Sequence, residues 1–383
     1  MNFTFSEDQQ QLRTSVRRFL DHYSSEADVR RLMDTDHGFD AAVWSRMANE
    51  IGLQGLVIPE EYGGSGASWV ELGIVLEEMG RSLLCAPFFS SVVLAATTVL
   101  ESGDVRAMRA ELPGIADGST IATLALVEES GFWEEHGVEM PASKGQDGYV
   151  LNGRKSYVLD GLVADLFIVP ARTPEGVTLF LVRGDAPGLT RNPLKSLDLT
   201  RKLAAIDFTD VPAEVLGAAG KGWGILERAL DLAAVGLAAE QVGVAQAALD
   251  MAVEYAKVRI QFGRAIGSFQ AIKHKCADVL VDVESARSAA YYALGVASQR
   301  TEELPAAASL AKAFCSDASV FATHENIQIH GGIGFTWELA AHLYYKRAKS
   351  MELYLGDPIY HRERLIRHIT SAGIERSEVE TDA

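Results

Sequence analysis

The hydrophobic rhythm of this chain changes twice, from helical to β and back to helical, and no fold of a single class accommodates that order. Up to residue 119 the pattern is helical. Ser6 with Glu7 and Asp8 supplies an N-cap and an acidic first turn, and Leu12, Val16 and Phe19 form the apolar stripe behind them. A second helix is expected over 41–51, ending at Gly52, and others over 70–81 and 90–100. The run Pro59-Glu-Glu-Tyr-Gly-Gly-Ser-Gly66 must be loop. From residue 120 the signals are those of strands: 121–127, 166–169, 177–182 and 203–208, with Asn152-Gly153 as a hairpin signal between β-rich flanks. After Gly220-Lys-Gly-Trp-Gly224 the chain is helical again. The stretch 226–257 is so dense in Ala, Leu and Val that it reads as a helix buried on most sides. Further helices are expected over 270–300, 306–329, 339–350 and 358–370. Three domains follow, 1–119, 120–212 and 213–370, with a polar, frayed tail at 371–383.

Composition narrows the partners. A formal net charge of −17, spread along the chain, argues against nucleic acid or an anionic membrane. No stretch reaches the ~18 uninterrupted apolar residues of a membrane span. The N-terminus has neither the basic nor the apolar segment of a secretory signal. Cys85, Cys276 and Cys315 are far apart and lack metal-ligand spacing, so they read as reduced thiols. A cytoplasmic protein without a bound metal is expected.

One run carries chemistry. Tyr255 to Gln270 is the end of an amphipathic helix that breaks at Gly263, with Arg259, the amides Gln261 and Gln270, and the aromatic Phe262 at the break. A guanidinium, exposed backbone N–H groups and a flat apolar face are what an anionic dinucleotide requires of its site. The same run also fits a helix end capped by Gly beside an ordinary surface Arg. A second glycine turn, Gln328-Ile-His-Gly331-Gly332-Ile-Gly-Phe335, follows a helix rather than a strand, which excludes a Rossmann fingerprint.

Taken together, the 59–66 loop, the Asn-Gly signal, the Arg259-x-x-Phe262-Gly263 break and the Gln328-x-x-Gly331-Gly332 turn resemble the acyl-CoA dehydrogenase family, in order and spacing, over nearly the whole chain. The resemblance implies an N-terminal helical domain, a middle β-barrel and a C-terminal four-helix bundle. It implies FAD, an acyl-CoA substrate, a tetrameric assembly, and an electron-transfer flavoprotein or similar acceptor. The implied reaction removes an α-proton to a carboxylate and a β-hydride to the flavin.

It also implies which half of a flavin site is present. In the family the adenosine-pyrophosphate arm is gripped by the neighbouring subunit, through positions that here are Arg259, Phe262, Gly263, Gln328, Gly331 and Gly332, with Gln261 and Gln270 beside them. All are retained. The ring and ribityl chain are held by the subunit's own barrel, and there this chain departs from the pattern. Leu126-Val-Glu-Glu-Ser-Gly-Phe-Trp133 lacks the family's Thr and Gly-Ser-Asp. Tyr157-Val-Leu159-Asp-Gly161 has Leu159 where a Thr hydroxyl is usual. Tyr157 could still stack on the ring, or be core.

Neither family position for the catalytic carboxylate holds one. The first falls on Leu355, in Tyr354-Leu-Gly-Asp357; the second, counted back from Arg259, falls on Ala233, followed by Ala234. Three nearby carboxylates remain. Glu240 is two turns, ~10 Å, along the helix from Ala233; Asp231 and Asp357 are the others. A buried Glu240 could act as a base, or be paired with an Arg of another helix. The reading that follows is a heteromer, as in the α2β2 acyl-CoA dehydrogenases of actinobacterial steroid catabolism, with this chain completing its partner's FAD site. The alternatives are a self-sufficient enzyme using Glu240 or Asp357, and a non-enzymatic scaffold.

Overall fold

The computed structural model describes residues 5–145 and 148–381, the segment 371–381 as backbone only. In chain order it contains α1 (Glu7–Tyr23), α2 (Glu26–Met33), α3 (Ala41–Asn49), α4 (Trp69–Arg81), a π-helical turn (Phe89–Ala96), α5 (Thr97–Glu101) and α6 (Val105–Ala116). Strands follow: β1 (Ala122–Leu124), β2 (Ala142–Lys144), β3 (Tyr149–Leu159), β4 (Leu166–Thr173), β5 (Gly176–Arg183), β6 (Leu189–Leu194) and β7 (Leu203–Leu216). Then come α7 (Gly222–Val258), the hairpin β8 (Ile260–Gln261) and β9 (Arg264–Ala265), α8 (Gln270–Gln299), α9 (Leu304–His330), α10 (Ala341–Leu353) and α11 (Pro358–Thr381). The helical, sheet and helical segments stand in the expected order. The tail expected at 371–383 falls outside the described residues, for its side chains throughout and for its last two residues entirely.

Two compact units result, Met1–Glu26 with Trp69–Leu84 and Ala234–Ala383, and Ala27–Ser68 with Cys85–Ala233. The expected N-terminal helical segment thus contributes to both.

The first unit is helical. Its core is built on small residues: Ala245, Ala248 and Leu249 of α7 meet Val279 and Val283 of α8 and Ala322 of α9. Short side chains let helix axes approach, and two glycines carry this furthest. A Cβ at Gly80 of α4 would lie 2.1 Å from the Glu240 carbonyl oxygen, and one at Gly243 of α7 would lie 1.9 Å from that of Glu77. Helix propensity favours Ala over Gly by about 1 kcal/mol, but backbone cannot rotate away from the clash, and overpacking costs about 1–3 kcal/mol or more. Gly243→Ala should therefore lower the urea midpoint of unfolding, and an unchanged or raised midpoint would contradict this crossing. α1 is tied to the same unit by charge. Its Ser6 cap forms a capping box with Gln9, and its Arg13 donates to the buried Glu77 carboxylate at 2.9 Å, which also accepts from Tyr291 at 2.6 Å.

The second unit carries a seven-stranded sheet in the order β1-β4-β5-β7-β3-β2, with β6 on β7. Only β1 and β4 pair in parallel; the other pairs are antiparallel. The sheet curls on itself, since Pro141, just before β2, bridges to Arg172 of β4, whose N–H donates to the Met140 carbonyl at 2.8 Å. Asn152-Gly153 is not the hairpin turn its sequence suggests. It lies inside the eleven-residue β3 at a register shift, with Gly153 at φ 145° against the Met140 side chain. The Asn152 amide is taken by Asp210 of β7 on both sides, donating to its carboxylate at 2.9 Å and accepting its N–H at 2.8 Å. Cross-strand pairing has overridden the turn signal, and the glycine serves a bulge.

Among the described residues α7 alone is long and apolar enough to cross a membrane, and its most apolar stretch is buried inside the protein. Cys85 and Cys315 are buried and Cys276 half-buried, all as free thiols.

Candidate functional site

α7 ends at Val258 and the chain reverses at once. β8 and β9 are two residues each, paired as Ile260 with Ala265 and Gln261 with Arg264, so the loop between them is Phe262-Gly263 alone. Both have positive φ, 52° and 78°. That is the requirement of a type I′ hairpin, where glycine is at ease and a bulky residue is not. A Phe held in this region, with 91% of its surface exposed, contributes nothing to a core. Strain of this kind, about 1–3 kcal/mol, persists where the surroundings impose it and gathers at binding sites.

The Arg259 backbone fastens the hairpin, its N–H donating to the Tyr255 carbonyl at 2.9 Å and its carbonyl accepting from Ile266 at 2.8 Å. Its guanidinium is exposed and engages no partner among the described residues. Arg264 differs, lying over the Phe269 ring at 4.0 Å, and Phe262 meets the same ring edge-on at 6.1 Å. Gln261 and Gln270 are exposed, Gln270 as the first residue of α8.

The second turn is brought to the same end of the bundle. Tyr255 of α7 stacks on His330 of α9, centroids 4.1 Å apart and planes 26° off parallel. Ala252, Ala256 and Ile329 form a small buried cluster beneath, with Ile266 and Ile272 packed on it. His330 Nδ1 is 2.8 Å from the Asn326 carbonyl oxygen, which fixes the ring. α9 therefore stops where α7 stops. Gly331 has φ 69°, and its N–H donates back to Gln328 and Ile327. Gln328, Gly331 and Gly332 are all exposed. A Cβ on Gly263, Gly331 or Gly332 would meet nothing within 4 Å, so all three backbones lie open to approach.

These residues fit the phosphate and ring of a dinucleotide: one unengaged guanidinium, an exposed aromatic face, three amides and open glycine backbone at one place.

The other candidates fare differently. Tyr157 sits at the second register shift of β3 with φ 55° and is half exposed (51%), so it is not core. Beside it Ser156 N–H donates to the Val127 carbonyl at 2.7 Å. Leu159 is buried, and its carbonyl accepts from the Thr123 hydroxyl at 2.6 Å. The 126–133 segment is held through Glu128, whose carboxylate accepts from Lys155 at 2.7 Å and from the Glu139 and Met140 N–H groups. Lys155 is fully buried, and burial pulls its pKa down to about 8 despite the carboxylate.

Of the two readings of Glu240, the geometry favours the ion pair. Its carboxylate accepts from Arg347 of α10 at 2.8 Å, and both side chains are buried. A buried carboxylate paired with a guanidinium has a structural role to fill, and removing either partner leaves the other charge buried and uncompensated. Asp357 caps α11, accepting from the Tyr360 N–H at 2.8 Å. Ala233 and Ala234 are buried in the wall of α7, as is Asp231, which is not without a partner. Leu355 is buried with φ 64°. No group of three or more metal-ligating side chains occurs among the described residues.

Models of the acyl-CoA dehydrogenase N-terminal, middle and C-terminal domains match residues 6–119, 123–211 and 220–370. The chain belongs to the acyl-CoA dehydrogenase family. Acyl-CoA dehydrogenase IpdE2 of Mycolicibacterium smegmatis is 34% identical over 94% of this chain and 98% of its own length. Among solved structures, the Tcur3481-Tcur3483 steroid ACAD is 31% identical with a TM-score of 0.87, covering 96% of this chain and 99% of that one. The ChsE4-ChsE5 complex from Mycobacterium tuberculosis is 28% identical with a TM-score of 0.88, over 97% and 99%. An acyl-CoA dehydrogenase is an oxidoreductase, and membership of the family implies FAD as cofactor.

Proposed function

We propose that this chain is one of two kinds of subunit in a heteromeric acyl-CoA dehydrogenase, the kind that completes its partner's FAD site. The observation that carries this is a contrast. Arg259, Phe262 and the open glycines of two turns are presented on the surface, while Ala233 and Leu355 leave both base positions without a carboxylate and Glu240 is held by Arg347. FAD supplies the hydride acceptor of the reaction. On this reading Arg259 holds its pyrophosphate, Phe262 faces an apolar part of the adenosine arm, and Gln328 with the Gly331-Gly332 turn lines the remainder. The partner contributes the ring pocket and the base that removes the α-proton.

Two of the similar structures are named as pairs and one as a steroid ACAD, which supports a heteromer acting on a steroid-derived acyl-CoA. The assembly passes its electrons, in the cytoplasm, to an electron-transfer flavoprotein or a similar acceptor. Co-expression with the product of the neighbouring gene should be needed for acyl-CoA dehydrogenation. An active, flavin-replete assembly of this chain alone would end this reading.

A further inference from the structure

The most unusual buried group lies outside the dinucleotide turns. Lys312 of α9 is fully buried, yet among the described residues no carboxylate lies within hydrogen-bond distance of its ammonium. It donates to three neutral oxygens: the Ser316 hydroxyl at 3.0 Å, the Glu352 carbonyl at 3.1 Å and the Gly356 carbonyl at 3.0 Å. Burying a cation among neutral acceptors is costly unless the acceptors carry concentrated partial charge. These do. Glu352 lies in the last turn of α10, where carbonyls lack intrahelical partners and the helix dipole is negative.

His361 of α11 completes the arrangement. It is buried, and its Nε2 lies 2.9 Å from the Leu355 carbonyl oxygen. A carbonyl can only accept, so that nitrogen carries the proton. Nδ1 is buried without a partner, as a neutral imidazole allows. Burial and the nearby Lys312 ammonium push the His361 pKa down to about 3, which keeps the ring neutral.

Two side chains from two helices thus take three carbonyls, one in the last turn of α10, at 352, and two in the connection between α10 and α11, at 355 and 356. That connection is strained. Leu355 has φ 64° and is buried, and Gly356 has φ 98°, where a Cβ would lie 2.3 Å from the Tyr360 ring. A leucine in the left-handed region is strained and stays there only if held. The neighbouring carboxylates are engaged elsewhere, Glu352 with Lys349 and Asp357 in capping α11.

We propose that Lys312 and His361 are a buried clamp, a pair of positioning residues that set the backbone of the Tyr354–Asp357 turn and hold the side chain of residue 355 inward. This stands apart from the heteromer reading and does not depend on it. It implies that the turn keeps its shape whatever side chain position 355 carries, so the loss of a carboxylate there is a change of side chain and not of architecture.

The test uses the full chain with Cys276→Ser, to remove the half-buried thiol, and Leu355→Cys as a reporter. Alkylation at position 355 should be as slow as at the buried Cys85. Adding Lys312→Met should raise the rate at 355 at least tenfold while Cys85 stays protected, which shows the rest of the chain still folded. Unchanged protection at 355 in a folded Lys312→Met protein would overturn the proposal. Should that variant not fold, hydrogen exchange on the unaltered chain decides. Amides of 354–361 protected like those of α10 support the clamp, and exchange at the rate of an open loop refutes it.

Discussion

Glu240→Ala should destabilise the helical unit by about 3–5 kcal/mol, the range seen when one partner of a buried ion pair is removed. The magnitude follows from what remains. Arg347 has no exposed surface, and the Leu84 carbonyl to which its guanidinium also donates, at a long 3.4 Å, carries no charge to balance it. The charge cannot reach water without opening the packing of α7 against α10. Urea denaturation of the purified chain reads the loss directly. The variant also separates structure from catalysis. In an assembled complex that remains folded, turnover per flavin should be unchanged, because this carboxylate holds a helix and abstracts no proton. Full stability with a turnover lowered a hundredfold would reverse the assignment and return Glu240 to the role of base.

The second large effect belongs to Arg259. Its guanidinium is exposed and engages no partner among the described residues, so Arg259→Ala should leave the thermal midpoint of the isolated protein where it was. In the complex the same change removes charge-assisted hydrogen bonds worth about 1.5–3 kcal/mol, or roughly 10- to 150-fold in FAD affinity. Arg259→Lys should recover part of that, since an ammonium keeps the charge and loses the two-pronged geometry. Flavin retained after gel filtration, or the dissociation constant from flavin fluorescence, measures it. Equal FAD affinity in wild type and Arg259→Ala would remove this turn from the cofactor site.

How far the sequence reached depends on the scale of the signal. Long helices were plain because their evidence accumulates over many residues: α7, α8 and α9 begin and end within a few positions of where periodicity and glycine put them. Short elements were not. The helix Glu26–Met33 and the strands Ala142–Lys144 and Leu189–Leu194 are too brief to show a period, and only their neighbours fix them. Asn152-Gly153 failed for a related reason, since a local turn preference of modest size loses to an eleven-residue strand paired on both sides.

At the site, residue types were legible and their company was not. Arg259 and the glycines announce themselves by chemistry, but the Tyr255–His330 stack that brings the two turns together joins positions far apart in the chain. For Glu240 the sequence left a base open beside half of an ion pair, because its partner Arg347 is separated from it by more than a hundred residues. Lys312 gave no signal at all. A lysine in an Ala-rich helix usually points to solvent, and only the fold shows that this one faces the end of another helix.

The most direct measurement is FAD bound per polypeptide, for the chain purified alone and for the chain purified with its neighbouring gene product. A subunit that grips only the adenosine arm should emerge almost colourless by itself and gain flavin when its partner is present, with Arg259→Ala reducing the gain. A fully yellow protein from the chain alone, one flavin to each polypeptide and active on an acyl-CoA, would mean that it builds the whole site unaided.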